Sequence, residues 1–245
     1  MRRHWAGLWS PAIGAEGGVI AYGHYGRPLL AFPSEGGGCE DYERHGMVDA
    51  LAGPIEAGRL KLYCVDSFDA ASWSGPGSLE ERAQRHELYE RWIVEQVVPF
   101  IHADCAGATE IIATGCSLGA YHAANITLRR ADLFPLAVCQ SGVYDLSRLG
   151  GGQRGEAFYF QNPMDYVADL HGDHLDWLRR QASLLLLCGQ GMWEDTTGAL
   201  EATRAFAGLL AAKGIRHELE LWGGDSAHDW PAWRAQIATH LPRFL

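Results

Sequence analysis

Short apolar segments alternate along the chain with longer segments in which apolar and charged positions are mixed. Many of the short segments are rich in β-branched residues, a composition typical of strands. Most are apolar at successive positions, which indicates strands buried on both faces, as in a parallel sheet covered by helices. Seven strands are predicted on this basis: 19–22, 28–32, 60–65, 109–114, 135–140, 183–188 and 217–222.

The longer segments between the strands carry the spacing of amphipathic helices. The longest covers residues 79–102, with apolar residues on one side and charges elsewhere. Further helices are predicted over 118–130, over 199–213 with Gly214 as a stop signal, and from 231 to the last residue. Strands that alternate with helices form a mostly parallel sheet with helices on both faces and right-handed crossovers. The sequence therefore predicts the α/β class.

The alternation is interrupted once, between residues 142 and 182, just before the strand at 183–188. This segment is first glycine-rich and then aromatic. An irregular segment of this length is either a packed connector or a cap over a functional site. No linker rich in Pro, Gly or Ser divides the chain, and no repeat is visible, so we expect a single domain over residues 1–245 with 142–182 as an insertion or cap.

Composition narrows the class of partner. The 245 residues include 30 Asp and Glu against 20 Lys and Arg, which gives a net charge of −10. This charge disfavours binding to nucleic acid or to an acidic membrane surface, because both need a basic patch. We therefore expect a small-molecule partner, and the sequence leaves a homo-oligomer open.

The N-terminal residues and the cysteines favour a cytoplasmic location. The opening residues MRRHWAGLWSP lack the continuous apolar core of a signal peptide. The six cysteines form no C-x-x-C pair, and several lie in strand-like segments, as expected of buried, reduced thiols. Neither a metal site nor an organic cofactor is expected.

The segment GCSLG, residues 115–119, has the form G-x-S-x-G. The motif alone is weak, but here a strand-like segment precedes Ser117 and a helix rich in small residues follows it. Strand, sharp turn and helix together are the context of a nucleophile elbow, in which the helix N-terminus favours a developing oxyanion. We therefore predict that Ser117 is a nucleophile.

The acid and the histidine that activate such a serine follow it in the chain. His228 lies in the loop after the last predicted strand, and it is the histidine that satisfies both order and placement. The loop after strand 183–188 carries two neighbouring carboxylates, Glu194 and Asp195, and either can orient the imidazole. Asp225 and Asp229 are local alternatives from the loop of His228 itself.

Backbone N–H groups are expected to form the oxyanion hole. One donor is the N–H of Leu118, directly after the nucleophile, and the second normally comes from the loop after the third strand. That loop reads FPSEGGG, so Gly36 and Gly37 are the predicted donors, with Gly38 beside them. Their lack of side chains leaves the amides accessible.

The residues in this order resemble the putative-esterase branch of the α/β-hydrolase superfamily. That branch includes S-formylglutathione hydrolases, feruloyl esterases and bacterial mycolyltransferases. The similarity extends over nearly the whole chain and is greatest to bacterial cytoplasmic esterases. The segments that carry it are YGHYGRPLLAFPSEGGG, GCSLGAYHAAN, YFQNPMDY, CGQGMWED and AHDWPAW.

The resemblance implies an α/β-hydrolase fold with Ser117 as nucleophile, His228 as base, and Asp195 or Glu194 as acid, since relatives place the acid at either aligned position. The chain lacks an HGGG string, so the resemblance does not fix the oxyanion loop. The expected reaction is hydrolysis of a carboxylic ester through an acyl-enzyme. Two alternatives are an acyltransferase with the same triad and a non-catalytic binding protein of this fold.

Tryptophans lie close in sequence to these residues. Trp193 and Trp230 neighbour the predicted acid and base, and Trp73 follows the strand at 60–65. Such side chains either line an apolar substrate pocket or pack in the core. We predict that all three border the substrate.

Overall fold

Eight strands form one sheet in a computed structural model that describes all 245 residues. The strand order is β1-β2-β4-β3-β5-β6-β7-β8. Strand β2 pairs antiparallel with both β1 and β4, and all other pairs are parallel. The predicted mostly parallel sheet is therefore confirmed. The strands are β1 Arg3–Ser10, β2 Ala15–Tyr22, β3 Arg27–Phe32, β4 Leu60–Val65, β5 Ile112–Cys116, β6 Leu136–Gln140, β7 Ser183–Cys188 and β8 Arg216–Leu221.

The seven predicted strands coincide with β2 to β8, but the sequence pattern missed β1. This edge strand pairs only with β2, so it is not buried on both faces and carries no continuous apolar run. Strand β5 begins three residues later than predicted and extends to Cys116. Its end therefore lies directly before Ser117.

Helices cover both faces of the sheet. The predicted helix over 79–102 is interrupted by a π-helical turn, Ile93–Val97. Pro99 follows this turn; it has no N–H to donate and its ring would collide with the carbonyl of a regular α-helix. The helices are α1 Asp41–Arg44, α2 Met47–Ala50, α3 Ala52–Glu56, α4 Leu79–Trp92, α5 Val98–Asp104, α6 Leu118–Arg129, α7 Glu156–Gln161, α8 Pro163–Asp169, α9 Gly172–Gln181, α10 Ala199–Lys213 and α11 Trp230–His240, with 3₁₀ turns at Leu146–Leu149 and Leu241–Phe244.

The sheet divides the apolar core into two layers, because successive residues of a strand point to opposite faces. In β7, Leu184 and Leu186 belong to a cluster of 36 buried residues under α4, α6 and α10. Leu185 and Leu187 belong to a cluster of 22 on the other face, under α2 and α11. This burial on both faces explains the continuous apolar strands of the sequence. None of the helices combines the length and the apolar composition that crossing a membrane would require.

Residues 142–182 form α7, α8, α9 and a 3₁₀ turn. They pack along the helices of the larger cluster: the Tyr121 hydroxyl donates to the Gln161 carbonyl at 2.9 Å, and the Tyr166 hydroxyl donates to Asn125 Oδ1 at 2.9 Å. The role of this segment as a cap stays a prediction.

His86 on α4 is an ionisable group within the core. Its ring lies 5.1 Å from Trp73, 5.6 Å from Tyr121 and 5.0 Å from His122, measured between centroids. Its Nδ1 has no hydrogen-bond partner. Burial holds the pKa of His86 well below its usual range, and the nearby His122 and Arg129 act in the same direction.

We expect this histidine to weaken the fold in acid. In the unfolded chain His86 takes up a proton below about pH 6.5, whereas in the folded protein it stays neutral to lower pH. Stability is then complete above about pH 6.5 and falls as the pH drops towards the lowered folded pKa. Between pH 7.5 and 5 this contribution is up to about 2 kcal/mol.

Urea unfolding at the two pH values measures this effect. The variant His86→Phe keeps an aromatic ring and should lose less stability in acid than the wild type. The exposed His24→Gln is the matched control and should behave as the wild type does. An equal acid loss in His86→Phe and wild type would contradict the assignment.

Candidate active site

Ser117 lies at the turn between β5 and α6. Its backbone has φ 56° and ψ −120°, which is left-handed and unusual for a residue other than glycine. A Cβ on Gly115 would collide with the Gly119 carbonyl, and a Cβ on Gly119 would collide with the Pro33 carbonyl. The two motif glycines therefore let strand, helix and the loop after β3 approach closely, and this contact holds the strained serine in place.

Cys116, which precedes the serine, points away from this turn. Its side chain is fully buried in the smaller core cluster, and its thiol donates to Gln140 Oε1 at 3.6 Å. Burial raises the pKa of Cys116 well above its usual range. This thiol is protonated and enclosed, so Ser117 is the accessible nucleophilic group of the motif.

His228 lies in the loop between β8 and α11, with its ring beside Ser117. The ring nitrogen Nε2 is 3.0 Å from Ser117 Oγ. The His228 backbone N–H donates to the Met192 carbonyl at 2.9 Å, which joins this loop to the loop after β7. Trp233 supports the ring edge-on at 5.1 Å between centroids.

Glu194 holds the other side of the imidazole. Its Oε2 lies 3.1 Å from His228 Nδ1, and its side chain is fully buried. Its Oε1 accepts bonds from the Ser141 hydroxyl at 2.5 Å and the Gly189 N–H at 3.1 Å. The Cys188 thiol lies 3.4 Å from Oε2, and burial next to this carboxylate raises the pKa of Cys188 to about 12, so the thiol stays a donor.

The other carboxylates named by the sequence do not reach the histidine. Asp195 is exposed and accepts a bond from the Thr196 N–H at 2.8 Å. Asp225 is also exposed, and Asp229 caps the N-terminus of α11. Of the two acids that the sequence left open, the structure brings Glu194 to His228, because the turn at 191–198 directs the first carboxylate inward and the second towards solvent.

Ser141 is a site residue that sequence reasoning missed, whereas Trp233 belongs to the segment AHDWPAW that carries the family resemblance. Ser141 follows β6 with a left-handed φ of 49°, and its hydroxyl accepts a bond from Trp233 Nε1 at 3.0 Å while it donates to Glu194. No motif marks Ser141. The available signal was topological, since Ser141 stands at the carboxyl end of the strand between those that carry Ser117 and Glu194.

The expected oxyanion donors require a correction. The Leu118 N–H, in the first turn of α6, has no acceptor in the protein, as expected. The Gly36 N–H, however, donates to Asp69 Oδ2 at 3.3 Å, and the Gly37 N–H donates to the Ser34 carbonyl at 3.0 Å. The amides of this loop without an acceptor in the protein are those of Ser34, Glu35 and Gly38, because the Gly37 N–H closes a turn onto Ser34 and the Gly36 N–H bonds to Asp69.

The three tryptophans have different environments. Trp193 is half exposed beside Glu194, and Trp230 stacks on His45 with ring centroids 4.2 Å apart. Trp73 is only 1% exposed and packs against Tyr121. The prediction that Trp73 borders the substrate therefore does not fit its position, because its large apolar ring is enclosed between α4 and α6.

Ser117 is partly exposed, and two cavities lie elsewhere on the molecule. A cavity of about 350 Å³ lies beside Tyr159 and His174, and one of about 710 Å³ lies beside Tyr25 and Arg59. No three side chains of the metal-binding types are grouped as ligands. The site thus presents a hydroxyl, an imidazole and a buried carboxylate that are joined one after another by hydrogen bonds, with unbonded backbone amides nearby.

A family model described as Putative esterase matches residues 64–244, well over half of the chain. No curated protein sequence matches the chain.

Many solved structures share the fold. A ferulic acid esterase superposes with a TM-score of 0.76 at 15% identity, covering 99% of this chain and 97% of that one. An S-formylglutathione hydrolase from Agrobacterium tumefaciens gives 0.74 at 14% identity, covering 98% and 93%. An S-formylglutathione hydrolase from Staphylococcus aureus gives 0.70 at 16% identity, covering 99% and 96%. At these identities the similarity concerns the fold, and it confirms the expected α/β-hydrolase architecture.

The contact between Gly119 and the loop after β3 leads to a matched pair of substitutions. Gly119→Ala should destabilise the protein by about 1–3 kcal/mol, because the new Cβ meets the Pro33 carbonyl. Gly208→Ala, in the exposed face of α10 where a Cβ meets nothing, should stabilise it by about 0.5–1 kcal/mol. Urea unfolding measures both, and a neutral Gly119→Ala would show that the close approach is not needed.

The two neighbouring acids should differ sharply when each is replaced by its amide. Glu194→Gln should lower kcat by up to about ten-thousandfold, because an amide cannot stabilise the imidazolium. Asp195→Asn, the matched control, should stay within about threefold, since the Asp195 side chain is solvated. Steady-state kinetics on a chromogenic ester, with thermal melting to check folding, decides between them, and the reverse pattern would assign the role to Asp195.

Proposed function

This chain belongs to the putative esterase family and is a carboxylic ester hydrolase of the serine class. We propose that it works through an acyl-enzyme on Ser117, with His228 as base and Glu194 as acid. The observation that carries the proposal is the continuous hydrogen-bond chain from Ser117 Oγ to His228 to Glu194, with contacts of 3.0 Å and 3.1 Å. A nucleophile, a base and an orienting acid at hydrogen-bond distance are the signature of an activated serine.

In the first step Ser117 Oγ attacks the ester carbonyl carbon, and its proton moves to His228 Nε2. Glu194 stabilises the imidazolium that forms and keeps Nδ1 protonated. The same Nε2 proton then passes to the alkoxide that leaves, so the alcohol departs neutral and the acyl group stays on Ser117.

In the second step water attacks the acyl-enzyme while His228 accepts its proton. The tetrahedral intermediate collapses, the proton returns to Ser117 Oγ, and the carboxylic acid is released. Ser117 is partly exposed, so water can reach the acyl-enzyme.

The negative oxygen of each intermediate needs two donors. We assign the first to the Leu118 N–H, at the N-terminus of α6 where the helix dipole also favours a negative charge. We assign the second to the Glu35 N–H, which has no acceptor in the protein. The packing of the Pro33 carbonyl against Gly119 supports this assignment, since it brings the loop after β3 beside the first turn of α6.

The surface around the serine favours an ester with an apolar group. Met192 and Trp193 are exposed next to Glu194, and Trp230 lies near His228. Exposed apolar side chains at a reactive serine are suited to hold an acyl chain or an aromatic alcohol. We further propose a cytoplasmic location, which the six unpaired cysteines support, five of them buried.

A fluorophosphonate probe tests the nucleophile directly. We expect intact-mass spectrometry to show one adduct, on Ser117, and Ser117→Ala to abolish it together with nearly all esterase activity. Ser147→Ala, which changes a partly buried serine outside the proposed site, should label as the wild type does. An adduct on another serine, or none on folded protein, would exclude the proposed mechanism.

A substrate panel then refines the reaction. It should include p-nitrophenyl esters of increasing chain length, a feruloyl ester and S-formylglutathione, the last two because the structurally similar proteins carry those names. The ester with the highest kcat/KM defines the acyl and alcohol preference.

A further inference from the structure

Asp69 is a buried carboxylate outside the chain of Ser117, His228 and Glu194. It follows β4, and its side chain is 1% exposed. Both carboxylate oxygens are bonded: Oδ2 accepts from the Gly36 N–H at 3.3 Å, and Oδ1 lies 3.1 Å from His122 Nε2. Burial of a carboxylate costs free energy of desolvation, and the bonds to these two partners offset that cost.

The first partner belongs to the turn that carries a proposed oxyanion donor. The Gly37 N–H donates to the Ser34 carbonyl, so Glu35 and Gly36 are the central residues of a four-residue turn. Gly36 has φ +68°, whereas Glu35 is not among the residues of positive φ, and this combination is typical of a type II turn.

Turns of types I and II differ by a flip of the peptide between their central residues, here the one that joins Glu35 to Gly36. The N–H of that peptide is the one that Asp69 accepts. In the flipped orientation the Glu35 carbonyl would face the Asp69 carboxylate, and the two oxygens would repel each other. Asp69 therefore selects one orientation of the peptide next to the Glu35 N–H.

The second partner belongs to the helix that carries the other donor. His122 is on α6, one turn after Ser117 and Leu118, and its side chain is 1% exposed. Through its two oxygens Asp69 thus bonds at once to the turn at residues 34–37 and to α6. These are the two elements whose unbonded amides face the reaction in the proposed mechanism.

We propose that Asp69 and His122 are positioning residues that fix the oxyanion hole, by holding the Glu35 and Leu118 amides at a constant separation and orientation. The proposal rests on the proposed function, because it presupposes an oxyanion formed on an ester bound to Ser117. It predicts that loss of the pair weakens binding of the transition state and leaves binding of the ground-state ester unchanged.

The experiment compares Asp69→Ala and Asp69→Asn with the wild type. Kinetics on p-nitrophenyl acetate give kcat and KM separately. A trifluoromethyl ketone, which adds reversibly to the serine and carries the negative oxygen of the intermediate, gives a second measure of the oxyanion hole. Asp104→Ala is the matched control, because it breaks the ion pair of Asp104 with the buried Lys61, 2.7 Å apart near the start of β4, away from Ser117.

We expect Asp69→Ala to lower kcat by about 100-fold, within the range found when one oxyanion donor is lost. KM should change by less than about threefold, and the affinity for the ketone should fall by about the same factor as kcat. Asp69→Asn should recover most of the activity, since its amide oxygen can still accept from Gly36 and its NH₂ can donate to His122 Nε2 once the His122 proton moves to Nδ1, which has no other partner. Asp104→Ala should lower the melting temperature and leave kcat and ketone affinity unchanged.

If Asp69→Ala does not fold, His122→Leu provides the same test. It removes the donor to Oδ1 and should lower kcat and ketone affinity by about tenfold at unchanged KM. A folded Asp69→Ala or His122→Leu with kcat and ketone affinity within twofold of the wild type would overturn the proposal, as would a loss confined to KM. A wild type inert towards every ester would instead overturn the proposed function, and this proposal with it.

Discussion

The burial of the Glu194 carboxylate is the constraint on which the site depends. A fully buried carboxylate is strongly unfavourable unless donors surround it. Here the donors come from three strand ends: Ser141 after β6, Gly189 after β7 and His228 after β8. One acidic group therefore ties three loops together, and through His228 it reaches Ser117 at the end of β5.

A second buried carboxylate lies on the other side of the nucleophile. Asp69, after β4, bonds to the turn that follows β3 and to α6. The elbow at Ser117 is thus flanked by two desolvated acids, one bonded to the elements proposed to move protons and the other to the elements proposed to hold the negative oxygen. Around either acid, movement of the bonded loops would leave a charge without partners in a medium of low polarity.

The parallel sheet makes this arrangement available. Its strands β3 to β8 all end at one edge, so loops distant in sequence meet there without long connections. The strain at Ser117 and Ser141, both with left-handed backbone, is stored at this edge and is supported by the apolar layers on the two faces of the sheet. The sheet therefore provides a rigid support, and the loops at this edge carry the candidate reactive side chains.

Local patterns in the sequence predicted most of the strands and two of the candidate site residues. Continuous apolar segments predicted the parallel strands, because burial on both faces requires an apolar side chain at nearly every position of a strand. The edge strand β1 lacks such a segment, so the pattern missed it. The motif at 115–119 indicated Ser117 as the candidate nucleophile. The position of His228, in the loop before the last helix, indicated this histidine as the candidate base. Local patterns could not choose between Glu194 and Asp195, adjacent residues of equal chemistry, and they misassigned the glycine amides at 36 and 37 and the position of Trp73.

The sequence by itself therefore determined the class of fold, the order of the candidate reactive residues and the family that they resemble, because each of these follows from short-range periodicity and motif spacing. Only the tertiary structure decided which acid faces His228, which amides stay unbonded, and that Ser141, Asp69 and His122 lie beside the site. These features depend on distances between residues far apart in the chain, and such distances are set by how the strands and loops pack, which no local pattern encodes.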